Sequence, residues 1–350
     1  MFVAKPWLSR VAILLITAAG LATEARSQFA NETRDVTRRG TTAAEFLSIP
    51  VGARATGMGN AIAASVDDAT AMYWNPAGLG RMDKAAFAAE HASWLAGINF
   101  NYAAVALPTR LGTFGMAVTS LRTPDMRVTT VAAQEGTGES FNAASYALAA
   151  SWGKALTDRF TFGATGKLVN ERIWHSSASG LALDVGTVFV TPFRGMRLGA
   201  SIANFGTKMQ MVGDDLLVVS DIDPVNRGNN ESNRALLRTD RFDMPLIMRI
   251  GLAGEVVDHQ AMRMTLAVDI LSPNNSNQFV NLGAELGLLG DLLMVRAGYS
   301  ELFLQDSIRS LAMGGGLRYD FSSVGLAIDY AFERHRYFSG VSRFTLAAHF

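Results

Sequence analysis

Apolar and polar residues alternate along most of the chain after residue 85. At its end, Phe344, Leu346, Ala348 and Phe350 are separated by Thr345 and other polar or small residues. Because successive side chains of a strand point to opposite faces, this alternation predicts a strand with one apolar face and one polar face. Nothing in these residues alone decides whether the apolar face meets lipid or a protein core.

The same alternation marks fourteen segments of the chain. Most of them have about the 9–11 residues that a tilted strand needs to cross a membrane. An even number of such strands predicts an all-β fold, an antiparallel up-and-down barrel over residues 85–350. The predicted strands are 86–94, 98–107, 112–122, 142–154, 160–172, 180–190, 195–204, 244–255, 261–271, 278–288, 292–300, 311–320, 324–333 and 342–350.

The distribution of charge separates a membrane barrel from a soluble sandwich, whose apolar faces would point inward. In the last ten predicted strands every charge falls on the polar face and none on the apolar face. An Arg or Lys that faces lipid costs about 2–4 kcal/mol at mid-membrane, so this exclusion favours the membrane barrel. The charges on the polar face are Lys167, Glu171, Asp184, Arg197, Arg249, Glu255, Arg263, Asp269, Glu285, Arg296, Arg318, Asp329, Glu333 and Arg343.

The strand ends and the connections support the same orientation. Aromatic residues gather near strand ends, as in the two interfacial belts of outer-membrane barrels. Short connections alternate with longer ones, among them 123–141 and 205–243. The only exception is 95–97, a short connection at the end of the barrel that otherwise has the longer ones. Short turns are typically periplasmic, so both termini are predicted to be periplasmic and Phe350 to be a signal for the barrel-assembly machinery. The outer wall would contact outer-membrane lipid and lipopolysaccharide.

The start of the chain resembles an export signal. Val11 to Thr23 carries no charge, follows a short basic region and is too short for a membrane helix. Ala25-Arg26-Ser27 fits a cleavage site before Gln28, so residues 1–27 are predicted to be a signal peptide and 28–44 a flexible segment. No later stretch is apolar enough for a membrane helix, so any span must consist of strands.

Composition and motifs argue against several classes of function. The chain has no cysteine and equal numbers of basic and acidic residues, which excludes thiol chemistry and offers no basic surface for nucleic acid. No dinucleotide, phosphate-loop, zinc or serine-hydrolase motif is present, so no enzyme activity, cofactor or metal is predicted. The acidic loop 205–243 could bind calcium, but a solvated or lipopolysaccharide-facing loop is favoured. The apolar run Leu216–Val219 within it would fold over the barrel mouth or bind a partner.

Residues 45–84 differ from the barrel because small residues dominate them. Gly52, Gly57 and Gly59 permit tight or left-handed backbone. Asp67 and Asp68 could start a short helix that Asn75-Pro76 ends, since a residue before proline avoids helical geometry. A compact glycine-rich unit before the first strand is predicted to plug the lumen, which fourteen strands would otherwise leave open.

This segment resembles the signature of the PorV/PorQ family, which is similar to the FadL long-chain fatty acid transporters. About 30 residues match closely, and the rest of the chain agrees only in architecture. The resemblance implies an outer-membrane barrel with an N-terminal plug whose motif is structural or gates the lumen. The matching positions are Gly52, Arg54, Gly57, Gly59, Asp67, Asp68, Trp74, Asn75, Pro76 and Gly78.

Two functions follow from the resemblance. The preferred one is a non-enzymatic component or shuttle of a type IX-like secretion and surface-attachment system, whose outer loops bind a translocon or secreted cargo. The alternative is a FadL-like transporter of hydrophobic small molecules. A transporter would have an apolar pocket between plug and wall, together with a lateral opening or strand kink. An outer-membrane lipase is a distant third hypothesis, because no nucleophile constellation is present.

Overall fold

A computed structural model describes residues 38–221, 225, 232–259, 261–322 and 324–350 of the chain. The predicted signal peptide, its cleavage site and residues 28–37 lie outside these described residues. Among the residues that are described, no helix combines the length and the apolarity needed to cross a membrane.

A closed antiparallel barrel of 14 strands dominates the structure, as the alternation predicts. In chain order the strands are β1 (Ala86–Ser93), β2 (Asn99–Thr109), β3 (Gly112–Arg122), β4 (Ala143–Thr157), β5 (Phe160–Ile173), β6 (Ser176–Val190), β7 (Arg197–Gly206), β8 (Ile247–His259), β9 (Met262–Pro273), β10 (Phe279–Leu288), β11 (Leu293–Leu302), β12 (Arg309–Phe321), β13 (Val324–His335) and β14 (Val341–His349).

The first and last strands close the barrel. β1 pairs with β14 from Ala86 opposite His349 to Ser93 opposite Ser342. Just beyond this ladder, the backbones of Ala85 and Phe350 exchange two hydrogen bonds of 3.0 and 3.1 Å. The final residue is therefore part of the seam, and no strand edge is left open there.

The two faces of each strand follow the predicted alternation. On β9, Leu266 and Ile270 are exposed on the outer surface, whereas Thr265 and Asp269 are buried in the lumen. The apolar outer band is that of an integral outer-membrane barrel, and the polar positions point inward, where they can pair with one another.

Some details of the predicted strands are wrong. β6 begins at Ser176, because its serines belong to the strand although they interrupt the apolar pattern. The connection 174–175 is therefore a second short connection, besides 95–97, at the end of the barrel where longer ones are predicted. Arg172 lies on the outer face near the end of β5, where its guanidinium donates to Asn142 Oδ1, so the exclusion of charge fails at the edge of the apolar band.

Four short helices precede the barrel and lie inside it. They are a 3₁₀ turn (Glu45–Ser48), α1 (Ala53–Gly57), α2 (Ala71–Trp74) and a second 3₁₀ turn (Pro76–Arg81). The short helix predicted after Asp67 and Asp68 is present as α2. Asp68 Oδ1 accepts a hydrogen bond from the backbone of Thr70 just before it, and extended backbone at Asn75 ends it.

The described ends of the chain lie at opposite ends of the barrel. Phe350 is at the end with the short turns. Arg39 donates to Ser276 and to the carbonyl of Asp306, both in connections at the other end, which we call the mouth. Residues 38–44 are held there by further hydrogen bonds, such as Ala44 N to Glu171. A periplasmic N-terminus and flexibility of 28–44 stay predictions, since residues before 38 are not described.

Candidate functional site: the lumen plug and the mouth pocket

Residues 45–84, which we call the plug, run from the mouth to the short-turn end inside the barrel. Several residues of the plug contact inward-facing side chains of the wall. Ala53 N donates to Thr345 Oγ1 over 2.8 Å, and Gly52 N donates to Glu90. At Gly52 φ is +91°, a left-handed geometry that glycine adopts without strain.

Arg54 links the plug to the wall through three carboxylates. Its Nη1 is 2.6 Å from Asp67 Oδ1 and 3.6 Å from Asp68, both in the plug. Its Nε is 3.1 Å from Glu285 Oε2 on β10. Glu285 also accepts a 2.7 Å hydrogen bond from Arg296 on β11. We call this network of plug and wall charges the Arg54 clasp.

Glycines bring the plug backbone against the wall. Gly59 has φ of +60°, and a Cβ there would meet backbone atoms of β10 and β11. On the wall, a Cβ added to Gly186 would meet the side chain of Asn75, and one added to Gly163 would meet the backbone of Pro76. At these places only hydrogen fits between plug and wall, so the glycines form a tight seal.

Asn75 is a polar residue at a buried position, and its hydrogen bonds satisfy its side chain there. Its side-chain amide donates to the carbonyl of Ala63 over 2.8 Å and to that of Thr187 over 3.1 Å, and its oxygen accepts from Ala77 N. One side chain therefore joins two plug segments to β6. Pro76 follows as the first residue of the 3₁₀ turn, where its missing N–H costs nothing.

The remaining motif residues have packing roles. Trp74 donates its indole N–H to Val51 O over 2.8 Å. Gly78 is in contact with the backbone of Val66, because a Cβ there would be 2.6 Å from the Val66 oxygen. The structure therefore brings all ten motif positions into one plug. Whether the motif gates the lumen stays a prediction.

A cavity of about 290 Å³ lies between the plug and the wall at the mouth, and we call it the mouth pocket. Its apolar lining includes Tyr73 and Trp74 from the plug and Leu271 and Phe279 from the wall. The volume is near the lower end of the range for small-molecule sites. The sequence predicts such a pocket for a transporter, but the lining is also charged, with three arginines and two glutamates.

Arg249 is the pocket residue that the sequence did not single out. It is 3% exposed, and its guanidinium lies 5.4 Å from the Trp74 ring centre and 5.7 Å from that of Tyr73. Among the described residues, none accepts a hydrogen bond from its Nε or Nη1, and none forms an ion pair with it. Alternation on β8 predicts only that Arg249 faces the lumen.

The wall is interrupted next to β6. Pairing of β6 with β7 ends at Ala182 opposite Gly206, and Asn204 has φ of +63° at an irregularity in that ladder. Within the described chain, no strand pairs with residues 178–180 on that side. Buried Met209 and Met244 cover Gly180 from the inside. A strand irregularity of the kind predicted for a transporter is thus present, although neither β6 nor β7 contains a proline.

The long connection 205–243 is partly ordered into short strands. Leu217–Ser220 pairs with Asn233–Leu236 as an antiparallel hairpin. Asp215 ties this connection to the turn after β5, accepting hydrogen bonds from His175 and Ser176. Burial alone would raise the pKa of Asp215, but these hydrogen bonds outweigh it and hold the pKa below its usual value. No acidic or histidine cluster with metal-ligand geometry occurs in the described part of the chain.

Comparison with known proteins supports the fold. No protein-family model matches the chain, and no curated protein is similar in sequence. A FadL homologue of Pseudomonas aeruginosa superposes with a TM-score of 0.52 and 12% identity over 86% of this chain and 98% of that one. The toluene transporter TodX of Pseudomonas putida gives 0.52, with 13% identity over 85% and 97%. CymD, a monoaromatic hydrocarbon channel, gives 0.53, with 13% identity over 86% and 97%.

These identities are low, so the likeness establishes the fold, a FadL-like 14-stranded β-barrel, and leaves the cargo open. TodX is named as a transporter and CymD as a channel, which is compatible with a chain that is not an enzyme. Membership of the PorV/PorQ family has no support from a family match.

Proposed function

We propose that the chain is a FadL-like outer-membrane transporter for small molecules with an apolar part, which enter through the mouth pocket. The observation that carries this proposal is the pocket itself, which lies between plug and wall at the mouth and is lined by Trp74, Tyr73, Leu271 and Phe279.

Passage would require the plug to move. The seal at Gly59, Gly163 and Gly186 leaves no room for a molecule between plug and wall. The Arg54 clasp holds the plug at the opposite side of the lumen from Gly163. In this proposal a molecule waits in the mouth pocket until the plug shifts, and the interruption beside β6 offers a place where the wall can yield.

Uptake in cells tests the transport itself. Cells that carry the chain in the outer membrane should accumulate at least one of radiolabelled toluene, oleate and benzoate faster than cells without it. The absence of cysteine allows a clean cross-link between plug and wall. Gly57 and Gly314 are suitable, because a Cβ on Gly57 would be 3.2 Å from Gly314 Cα. Gly57→Cys/Gly314→Cys should block uptake when oxidised and restore it after reduction.

The two single-cysteine variants are the matched controls, since neither can form the intramolecular disulfide. Equal uptake by the oxidised and the reduced double variant would show that transport does not need this plug movement. Uptake of all three compounds at the rate of cells without the chain would reject the transporter proposal.

A secretion role is the second candidate, and one surface feature favours it. The hairpin of Leu217–Ser220 and Asn233–Leu236 carries exposed apolar side chains, Val219 at 70% and Leu236 at 66%. Such a surface suits a protein partner. A pull-down from the outer membrane should then recover a translocon or secreted cargo, and Leu236→Ser should lose it. Recovery by both forms, or by neither, argues against the hairpin as a docking surface.

A further inference from the structure

The mouth pocket holds buried polar atoms that no described residue satisfies. Besides Nε and Nη1 of Arg249, these are Arg309 Nε and Asn60 Oδ1, and all three residues line the pocket. Buried polar groups are nearly always hydrogen-bonded, and a buried charge without a partner is especially costly. Three such residues around one cavity point to a ligand that supplies the missing partners.

The donors and acceptors of the pocket define the chemistry of that ligand. Arg249 and Arg309 offer N–H donors, which match the oxygens of a carboxylate. Asn60 already donates its amide nitrogen to Ser300 and Glu333, both over 3.0 Å, so its free oxygen needs a donor. Trp74 and Tyr73 offer ring faces beside the Arg249 guanidinium for an apolar group.

The acidic residues of the lining do not neutralise Arg249. Glu301 accepts hydrogen bonds from the backbone of Ile308 and lies 3.8 Å from Arg309. Glu45 accepts hydrogen bonds from Thr42 and Asn275 at the rim. Both carboxylates are therefore occupied. Asp269 on β9 is close enough to Arg249 to interact electrostatically, but it forms no ion pair with it and accepts hydrogen bonds from the backbone of Ile62 and Ala63. The Nε and Nη1 donors of Arg249 therefore remain available to a ligand.

We propose that the mouth pocket binds a compact organic acid, with its carboxylate on Arg249, its ring or short chain on Trp74 and Tyr73, and a hydroxyl or amino donor facing Asn60 Oδ1. This inference rests on the proposed transport function and narrows its substrate class. Neutral hydrocarbons would leave the Nε and Nη1 donors of Arg249 without a partner, and long chains exceed the cavity of about 290 Å³.

Calorimetric titration of the purified full-length protein in detergent tests the inference. The probes are benzoate, 4-hydroxybenzoate, benzyl alcohol and toluene. Benzoate should bind at least about tenfold more tightly than toluene, as expected for a charge-assisted hydrogen bond. Tighter binding of 4-hydroxybenzoate than of benzoate would support a hydroxyl donor that faces Asn60 Oδ1. Equal affinity of benzoate and toluene would overturn the proposal without any variant.

The variant Arg249→Gln tests whether the carboxylate of the ligand binds to Arg249. It should weaken benzoate by about tenfold or more while leaving benzyl alcohol unchanged. Arg336→Gln is the matched control, because Arg336 is exposed at the mouth and does not line the pocket. Unchanged benzoate binding by Arg249→Gln would overturn the assignment. Binding of benzoate without uptake of any compound would reject the transport proposal and support the organic-acid site. Uptake of toluene without binding of benzoate would support transport and reject the organic-acid site.

Discussion

Removing Arg54 should loosen the plug by an amount that can be worked out from its contacts. Breaking a buried ion pair typically costs about 3–5 kcal/mol, because one charge is left uncompensated. Here Glu285 keeps Arg296 at 2.7 Å, and the side chains of Asp67 and Asp68 are 46% and 31% exposed. Water and Arg296 therefore compensate part of the loss. We expect Arg54→Met to destabilise the closed plug, relative to the open one, by about 2 kcal/mol.

That free energy corresponds to roughly a 30-fold rise in the ratio of open to closed plug. Methionine keeps an apolar stem of similar length, so the substitution removes charge rather than creating a cavity. The measurement is ion conductance of the purified protein in planar lipid bilayers. Arg54→Met should conduct far more often than the wild type.

Arg122→Met is the control for that experiment. Arg122 forms its ion pair with Asp125 on the surface, where both side chains are more than half exposed, so its loss should have almost no effect. A folded Arg54→Met barrel with wild-type conductance would refute the clasp. Combining Arg54→Met with Glu285→Gln isolates the contribution of the contact between plug and wall, since residues in one network do not behave additively.

Three further predictions concern the seal, the mouth and the closing strand. Gly186→Ala should lower the stability of the folded barrel in urea by about 1–3 kcal/mol through overpacking against the plug, whereas Gly166→Ala, which meets open space, should not. The pKa of Asp215 is lowered in the folded protein. Its hydrogen bonds therefore persist at any pH above the ordinary pKa of about 3.9, and they are lost as the pH falls through the lowered pKa. Limited proteolysis of the mouth should therefore be equal at neutral and mildly acidic pH, and faster in Asp215→Asn. Deleting Phe350 should reduce the yield of heat-modifiable barrel more than Phe344→Ala, although both side chains are 57% exposed; equal yields would contradict its role in assembly.

Alternation along the chain was sufficient to predict the barrel. A strand with one face in lipid must alternate, so β3 was predicted at the residues where it occurs. The errors arise where the pattern weakens for a local reason. Ser176 and its neighbours begin β6 without apolar side chains, and Pro245 precedes β8, which starts two residues later.

The candidate site was predictable only in part. The plug motif could be found because its glycines and the Asn-Pro element lie close together in sequence. The partner of Arg54 could not, since Glu285 is 231 residues away and meets it only through the register of the barrel. Nor does sequence distinguish Arg249 from Arg343, because both face the lumen and only the fold gives Arg343 a carboxylate partner, at 2.6 Å.

The mouth pocket and the Arg54 clasp are parts of one short segment of the plug. Asn60, which lines the pocket, donates its backbone N–H to the carbonyl of Ala55 over 2.8 Å, and Ala55 is adjacent to Arg54. A ligand that moves Asn60 therefore acts on the turn of α1 that carries the clasp. Binding can open the plug only through a difference in affinity between its two states. That difference must approach the roughly 2 kcal/mol with which the clasp holds the plug closed. We predict that the charge-assisted bond to Arg249, which is of that order, supplies it by forming fully only when Asn60 has moved. A hydrocarbon, which makes no such bond, would have to rely on spontaneous opening, so ligand-dependent conductance should appear with benzoate and be absent with toluene.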